Sequence, residues 1–297
     1  MTATAETTEP VDDIAAEVDS KGVAVRTIKE LSETAYRARP EHSVSEIKLV
    51  PDEPELYWGR YIAKLEEYQV TITPQIARGT AIHEAVLQGI PPKIIPRDVL
   101  SKSGARQGNT WKDFAEEHAG EVWLKEDEAE PLKRAIESIH NHKQARAILE
   151  QPGECELSIF RRDEYTGLPL KHRLDKLAKA GGGIVVDLKS ANDPTELGFP
   201  FACLDRKYHI QAAAYFEAAE EATGQTPEAF MFIAVQVEPP YICEVHQCTE
   251  EMMQFGFTKW REALQDLDIR LKSGDWHRPT HGHINRLNLP RRAYQQF

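Results

Sequence analysis

Ile184-Val185-Val186-Asp187-Leu188-Lys189-Ser190 is an apolar run that closes on an acid, a leucine and a lysine. Leu170-Lys171-His172-Arg173-Leu174-Asp175-Lys176-Leu177-Ala178 precedes it across Gly181-Gly182-Gly183. Both segments have strand length and composition, and the glycines suit the positive φ of a tight connection, so the two form a hairpin. A third strand, Cys155 to Arg162, comes before them, separated by the turn Asp163-Glu164-Tyr165-Thr166-Gly167. Side chains alternate along a strand. Asp187 and Lys189 therefore share a face, Leu188 points into the core, and the Leu188 carbonyl is free to face a site. Asp175 on the neighbouring strand can lie beside Asp187. Adjacent carboxylates repel, so such a pair usually holds a cation. Asp-x-Lys alone would equally suit a surface ion pair at a strand edge.

Outward from this meander the pattern becomes helical on both sides. Ile76, Ala77, Thr80, Ile82, His83, Val86 and Leu87 recur at helical spacing, with Gly89 and Pro91 as stops. Ser43 and Glu46 suit a helix start, Pro54 a second, and helical patterns run from Trp111 to His118 and from Ala129 to Leu149. Ser190 to Lys207, with two prolines, reads as a connection. Tyr208 to Ala222 reads as a helix ended by Gly224, followed by strands Phe230–Val237 and Tyr241–Gln247 and a helix from Glu250 to Ser273. The order predicts an α/β fold with a mixed sheet flanked by helices and a helical N-terminal half. Residues 1–40 read as an acidic, disordered N-terminal extension, 41–290 as one domain, and 291–297 as a tail.

The 297 residues carry a net charge of −12, which argues against a uniformly basic nucleic-acid-binding surface. The charge is uneven. Residues 1–55 hold thirteen acids and six bases, whereas 156–189 hold five acids and seven bases. A locally basic strand region can face phosphates while the remaining surface stays acidic. No apolar run is long enough to span a bilayer and the N-terminus is not a secretory signal, so a cytoplasmic protein without membrane contact is expected. Cys155, Cys203, Cys243 and Cys248 form no Cys-x-x-Cys pair, so free thiols are expected rather than an iron–sulfur cluster. His277, His281 and His283 lie in an irregular tail without a cysteine and read as solvated.

Four short motifs occur in order: Gly79-x-x-x-His83 on the helix before the meander, Arg173-x-Asp175, Asp187-x-Lys189, and Gln211-x-x-x-Tyr215 on the helix after it. This order resembles the RecB-like branch of the PD-(D/E)XK nucleases. The stretches Glu156-Leu157-Ser158-Ile159-Phe160, Tyr208-His209-Ile210-Gln211 and Glu238-Pro239-Pro240-Tyr241 further resemble the RecE (exonuclease VIII) family, over roughly residues 43–290. The resemblance implies a restriction-endonuclease-like core and a Mg²⁺-dependent exonuclease, with Mn²⁺ as substitute. Its substrate would be linear double-stranded DNA, degraded from 5′ ends to leave 3′ single strands for an annealing partner. The implied setting is a bacterial or phage-infected cell.

It also implies His83, Asp175, Asp187 and the Leu188 carbonyl as metal ligands and Lys189 as the catalytic lysine. Glu156, Gln211 and Tyr215 would brace the site or touch DNA. Lys171, Arg173 and Lys176 are candidate phosphate contacts inside a ring-shaped homo-oligomer. Two alternatives stand beside this reading: a single-strand nuclease or endonuclease of the same superfamily, and a non-catalytic DNA-binding module on the same scaffold.

Overall fold

The computed structural model describes residues 17–18, 24–29, 31–69, 73–179, 183–284 and 286–287. An N-terminal arm contains β1 (Glu17–Val18), β2 (Ala24–Ile28), α1 (Glu33–Ala38), β3 (His42–Ser43), α2 (Val44–Ile47) and α3 (Pro54–Tyr57). The helix α4 (Pro74–Leu87) follows, its N-cap Thr73 accepting from Ile76 N and its proline at the first turn, where no amide is needed. β4 (Lys93–Ile94), α5 (Asn109–Glu117) and β5 (Trp123–Leu124) form a small lobe before α6 (Glu126–Asn141) and α7 (Lys143–Leu149). The expected meander is β6 (Gly153–Arg162), β7 (Pro169–Ala178) and β8 (Ile184–Ser190). α8 (Phe199–Asp205), α9 (Tyr208–Thr223), β9 (Ala229–Val235), β10 (Cys243–Gln247) and α10 (Glu250–Ser273) complete the described chain.

The main sheet runs β1-β2-β6-β7-β8-β9-β10, with β3 paired to β7. All neighbours are antiparallel except β3–β7 and β8–β9, which are parallel. The two sheet faces separate by strand alternation. Val186, Leu188, Ile233 and Val235 pack against Ile82 of α4 and Leu132 and Ile139 of α6. Val185, Phe230, Phe232 and Ala234 pack against Phe199 of α8 and Ala212 of α9. α9 is buried nearly all round, with Ala212, Ala213, Ala214, Ala218 and Ala219 inside, because α10 covers its outer side. Two helices thus reach the meander from opposite sides: α4 carrying His83 and α9 carrying Gln211.

Three expectations change. Ala24–Ile28 and Glu33–Ala38, in the stretch read as disordered, belong to the fold: β2 adds to the sheet through Val25↔Arg161 and Thr27↔Ile159. Pairing to a preformed edge supplies what local periodicity lacks. Residues 1–16 of that expectation, and the tail 291–297, lie outside the described residues. The connection before Tyr208 contains α8, whose proline at the start is compatible with helix and whose Phe199 is buried. The pattern from Ala129 to Leu149 is two helices, broken at His142, whose Nδ1 accepts from Ala145 N (3.2 Å) as the cap of the second.

Gly256 lets α10 approach α9 closely. A Cβ there would sit 2.2 Å from the His209 carbonyl oxygen and 3.1 Å from Ala213 Cβ. Alanine normally favours a helix over glycine by about 1 kcal/mol, whereas overpacking costs about 1–3 kcal/mol. Contact with backbone leaves little room to relax, so Gly256→Ala should lower stability by about 2 kcal/mol in urea unfolding. An unchanged or raised midpoint would show that the helices can separate freely.

Candidate active site

The register of the meander assembles the site. Cys155↔Lys176 and Leu157↔Leu174 set Glu156 opposite Asp175 across β6 and β7. Glu156 takes φ +50, in the left-handed region, and no bridge forms there. Such a conformation costs a non-glycine residue of order 1–3 kcal/mol, so other contacts must hold it. On the other side the β7–β8 ladder runs Ala178↔Ile184, Leu177↔Val185, Lys176↔Val186 and then stops. One step further would pair Asp175 with Asp187. Instead, the Leu188 N–H donates to Asp175 Oδ2 at 2.7 Å.

The other end of the Leu188 peptide reaches α4. Its carbonyl lies 2.8 Å from His83 Nε2. A carbonyl only accepts, so Nε2 carries a proton, and in the neutral ring Nδ1 keeps its lone pair. Nδ1 lies 3.5 Å from Asp175 Oδ2. One ligand atom each from His83, Glu156 and Asp175 fall within 4.8 Å of one another. Two carboxylates and an imidazole held on one point form a donor set that fits a divalent cation.

Asp187 lies outside that group and is fully buried. Its Oδ1 accepts from Gln211 Nε2 at 3.0 Å, and Lys189 Nζ forms an ion pair with its Oδ2. The Lys189 ammonium also lies 5.0 Å from the centre of the Tyr208 ring. Tyr215, one turn after Gln211, hydrogen-bonds with it. The expected cluster of His83, Asp175 and Asp187 is therefore two linked clusters. Glu156 stands with His83 and Asp175, and Asp187 is engaged by Gln211 and Lys189. Sequence reasoning gave Glu156 only a bracing role, because its closeness to His83 depends on helix α4 crossing the sheet there. Tyr208 was not singled out, although its place three residues before Gln211 on α9 is a usable signal.

Charge in this volume is unbalanced. Burial, and then the nearby Asp175 carboxylate, push the Glu156 carboxyl up to about 7, against the opposing pull of His83 and Arg173. Burial raises Asp187 to about 6, Lys189 opposing and Asp175 reinforcing the shift. Burial alone would lower Lys189, but Asp187 and Asp175 reverse this and hold it protonated. Asp175 and Asp187 thus both act on the Lys189 ammonium, while Glu156 has the Arg173 guanidinium at 4.0 Å.

The expected phosphate contacts are corrected. Lys171 is buried, and its Nζ donates to the Arg39 carbonyl at 2.7 Å. Arg173 binds Glu33 (2.7 Å), the Leu31 carbonyl (2.8 Å) and Ser158 Oγ (3.0 Å), and stacks over Tyr36. Lys176 is buried beside Cys155. β7 is a central strand, and the N-terminal arm folds across the face that carries Lys171 and Arg173, so these two cations tie down the arm, while Lys176 lies on the other face. His277, His281 and His283 are exposed.

A mixed sheet flanked by helices, with acids and a lysine at the point where two central strands part, defines the restriction-endonuclease-like fold class. The chain belongs to the family described as "PDDEXK-like domain of unknown function (DUF3799)", which matches residues 62–287. A crystal structure of a candidate exonuclease from Eubacterium rectale is similar in fold, with a TM-score of 0.59 and 14% identity over 89% of this chain and 98% of that one. An alkaline exonuclease from Laribacter hongkongensis (TM-score 0.36, 13% identity, 82% and 97% covered) is a more distant likeness. So is a phage-related exonuclease from Haemophilus somnus 129PT (TM-score 0.34, 14% identity, 79% and 96% covered). No curated protein matches the chain by sequence.

The raised carboxyls carry a testable sign. Glu156 and Asp187 bind protons more tightly folded than unfolded, so their contribution to stability is complete below about pH 4 and is lost as pH rises towards 7. A cation held by His83, Glu156 and Asp175 must displace the Glu156 proton, so its affinity rises over the same window. Mn²⁺ should raise the melting temperature clearly at about pH 7.5 and little at about pH 5.5. Glu156→Gln should flatten that difference. A Mn²⁺ shift of equal size at both pH values would remove the cation from this group.

Proposed function

We propose that the protein is a divalent-metal-dependent DNA nuclease whose centre is His83, Glu156, Asp175, Asp187 and Lys189. The observation that carries this reading is the Leu188 peptide, which joins the His83–Asp175 group to the Asp187–Lys189 pair through its two polar atoms. His83, Glu156 and Asp175 would hold the cation, and the Leu188 carbonyl, already accepting from His83, orients that ring. Mg²⁺ suits the carboxylates, and Mn²⁺ accepts the imidazole readily. A cation bound there supplies charge neutralisation at a phosphodiester and a more acidic water. Lys189, kept charged by Asp187, presents an ammonium that can hold a phosphate oxygen or orient the attacking water. Gln211 fixes Asp187, and Tyr215 fixes Gln211, so the lysine stays aimed.

The finer substrate assignment rests on the RecE resemblance: linear duplex DNA, 5′ to 3′, with 3′ single strands passed to an annealing partner. A single-strand nuclease or endonuclease would use the same centre. A purely binding module would have no need of Asp175, Asp187 and Lys189 together. Among the described residues no helix is long and apolar enough to cross a membrane. The proposed setting is the cytoplasm of a bacterial or phage-infected cell. The resemblance also implies a ring. Its DNA-facing charge would have to come from residues other than Lys171, Arg173 and Lys176. Light scattering at micromolar protein should then give a multiple of the chain mass. A strict monomer would remove the ring and leave the site untouched.

End-labelled linear duplex should be degraded with Mg²⁺ or Mn²⁺ and not with EDTA, while closed circular DNA survives. Lys189→Ala should lower kcat by about 10²–10³-fold with KM and DNA binding in Ca²⁺ little changed, as for loss of a transition-state contact. A Lys189→Ala enzyme with most of its activity would return Asp187–Lys189 to a structural ion pair.

A further inference from the structure

Two recesses flank the N-terminal half of α4, and Arg78 lines both. The first, about 260 Å³, is walled by Ser190 and Asn192 as β8 ends, and by Gln236 and Glu238 beyond β9. Ser190 directly follows Lys189, and the Ala191 N–H still donates to the Val235 carbonyl, so this wall is part of the sheet. Gln236 Oε1 is buried and has no hydrogen-bond partner among the described residues. The second recess, about 300 Å³, is lined by Arg106, Trp111 and Trp123.

Arg78 and the aromatic residues stand out chemically. Arg106 is paired with Glu128 through both guanidinium nitrogens (2.8 and 2.5 Å). Arg78 is half-buried and its side chain makes no hydrogen bond or ion pair among the described residues, five residues before His83 on the same helix. That spacing is a rise of about 7.5 Å. α5 has no buried residue although it carries Trp111 and Phe114. Trp111 touches Phe114 (centroids 6.0 Å apart) and lies under Arg106 (5.9 Å), and it is left half-exposed at the groove. The two recesses share Arg78 and, taken as one groove, offer amide and hydroxyl groups beside Ser190, then the Arg78 guanidinium, then the half-exposed Trp111 indole. A cation flanked by base-edge partners and a stacking surface matches the repeat of a nucleic-acid single strand. Within a duplex the bases are paired and stacked on one another, so only a terminal pair or an unpaired base offers a face to the indole.

We propose that this groove binds single-stranded DNA next to the catalytic centre. A phosphate would sit on Arg78, one base against Ser190, Asn192 and Gln236, and the neighbouring base on Trp111. The assignment rests on the nuclease reading and adds to it the path by which one strand leaves or reaches the site.

Fluorescence anisotropy of a labelled twelve-residue oligo(dT) in EDTA tests it without cleavage. The wild type should bind, and Arg78→Glu should weaken binding about tenfold or more. Trp111→Ala should weaken it about fivefold or more, the effect of one lost stacking contact, and Trp111→Phe should restore most of it. Arg78→Ala should flatten the slope of log K against log salt by about 0.7, whereas Trp111→Ala should leave it unchanged. Circular dichroism melts confirm that each variant is folded. If the wild type cuts DNA while folded Arg78→Glu and Trp111→Ala bind oligo(dT) as it does, the groove is overturned and the nuclease reading stands. A wild type that neither cuts nor binds DNA would overturn the function and the groove with it.

Discussion

The peptide unit of Leu188 is the constraint on which the rest depends. Its N–H donates to Asp175 on β7, and its carbonyl meets His83 on α4. Its side chain is buried against α4 and α6, and its chain neighbours Asp187 and Lys189 point to the opposite face, towards α9. One residue therefore ties two strands and a helix together at the point where the β7–β8 ladder ends. A side-chain carboxylate takes the amide there, so the strands part without leaving a buried donor unsatisfied.

That parting has an electrostatic consequence. Glu156, Asp175 and Asp187 come from three adjacent strands, at the positions where both ladders are interrupted. Directly opposed like charges destabilise a sheet, and burial makes the repulsion stronger. Lys189 pairs with Asp187, and on the Glu156–Asp175 side the one nearby guanidinium, Arg173, lies 4.0 Å from Glu156 and is shared with Glu33. The left-handed turn of the backbone at Glu156 belongs to the same local economy. It interrupts the regular ladder at the very residue whose carboxyl joins His83 and Asp175.

The surrounding architecture keeps these groups in place and closes the site on one side. α9 packs between the sheet and α10 through alanines, and so brings Gln211 and Tyr208 close to Asp187 and Lys189. The N-terminal arm crosses the basic face of β7 and binds Lys171 and Arg173. The open side is towards α4, where Arg78, Ser190 and Asn192 border the groove. The chain's acidic balance is thus no obstacle to an anionic ligand, because the local arrangement of charge decides where it can approach.

Period and punctuation in the sequence determine the meander, the helices carrying His83 and Gln211, and the pairing of Asp187 with Lys189 on one strand face. These are local properties: a two-residue alternation, a helical repeat, and glycine or proline where the chain must turn. Asp175 could be placed beside Asp187 for the same reason, since a hairpin register links them. Only the tertiary structure decided that Glu156 joins His83 and Asp175, because that depends on where α4 crosses the sheet. It also decided that Asp187 is held by Gln211 and Lys189, and that Lys171, Arg173 and Lys176 face inward. A charged residue's spacing in sequence gives its strand face. Whether that face meets solvent depends on a distant segment, here the arm from Leu31 to Arg39, whose carbonyls and Glu33 take up Lys171 and Arg173.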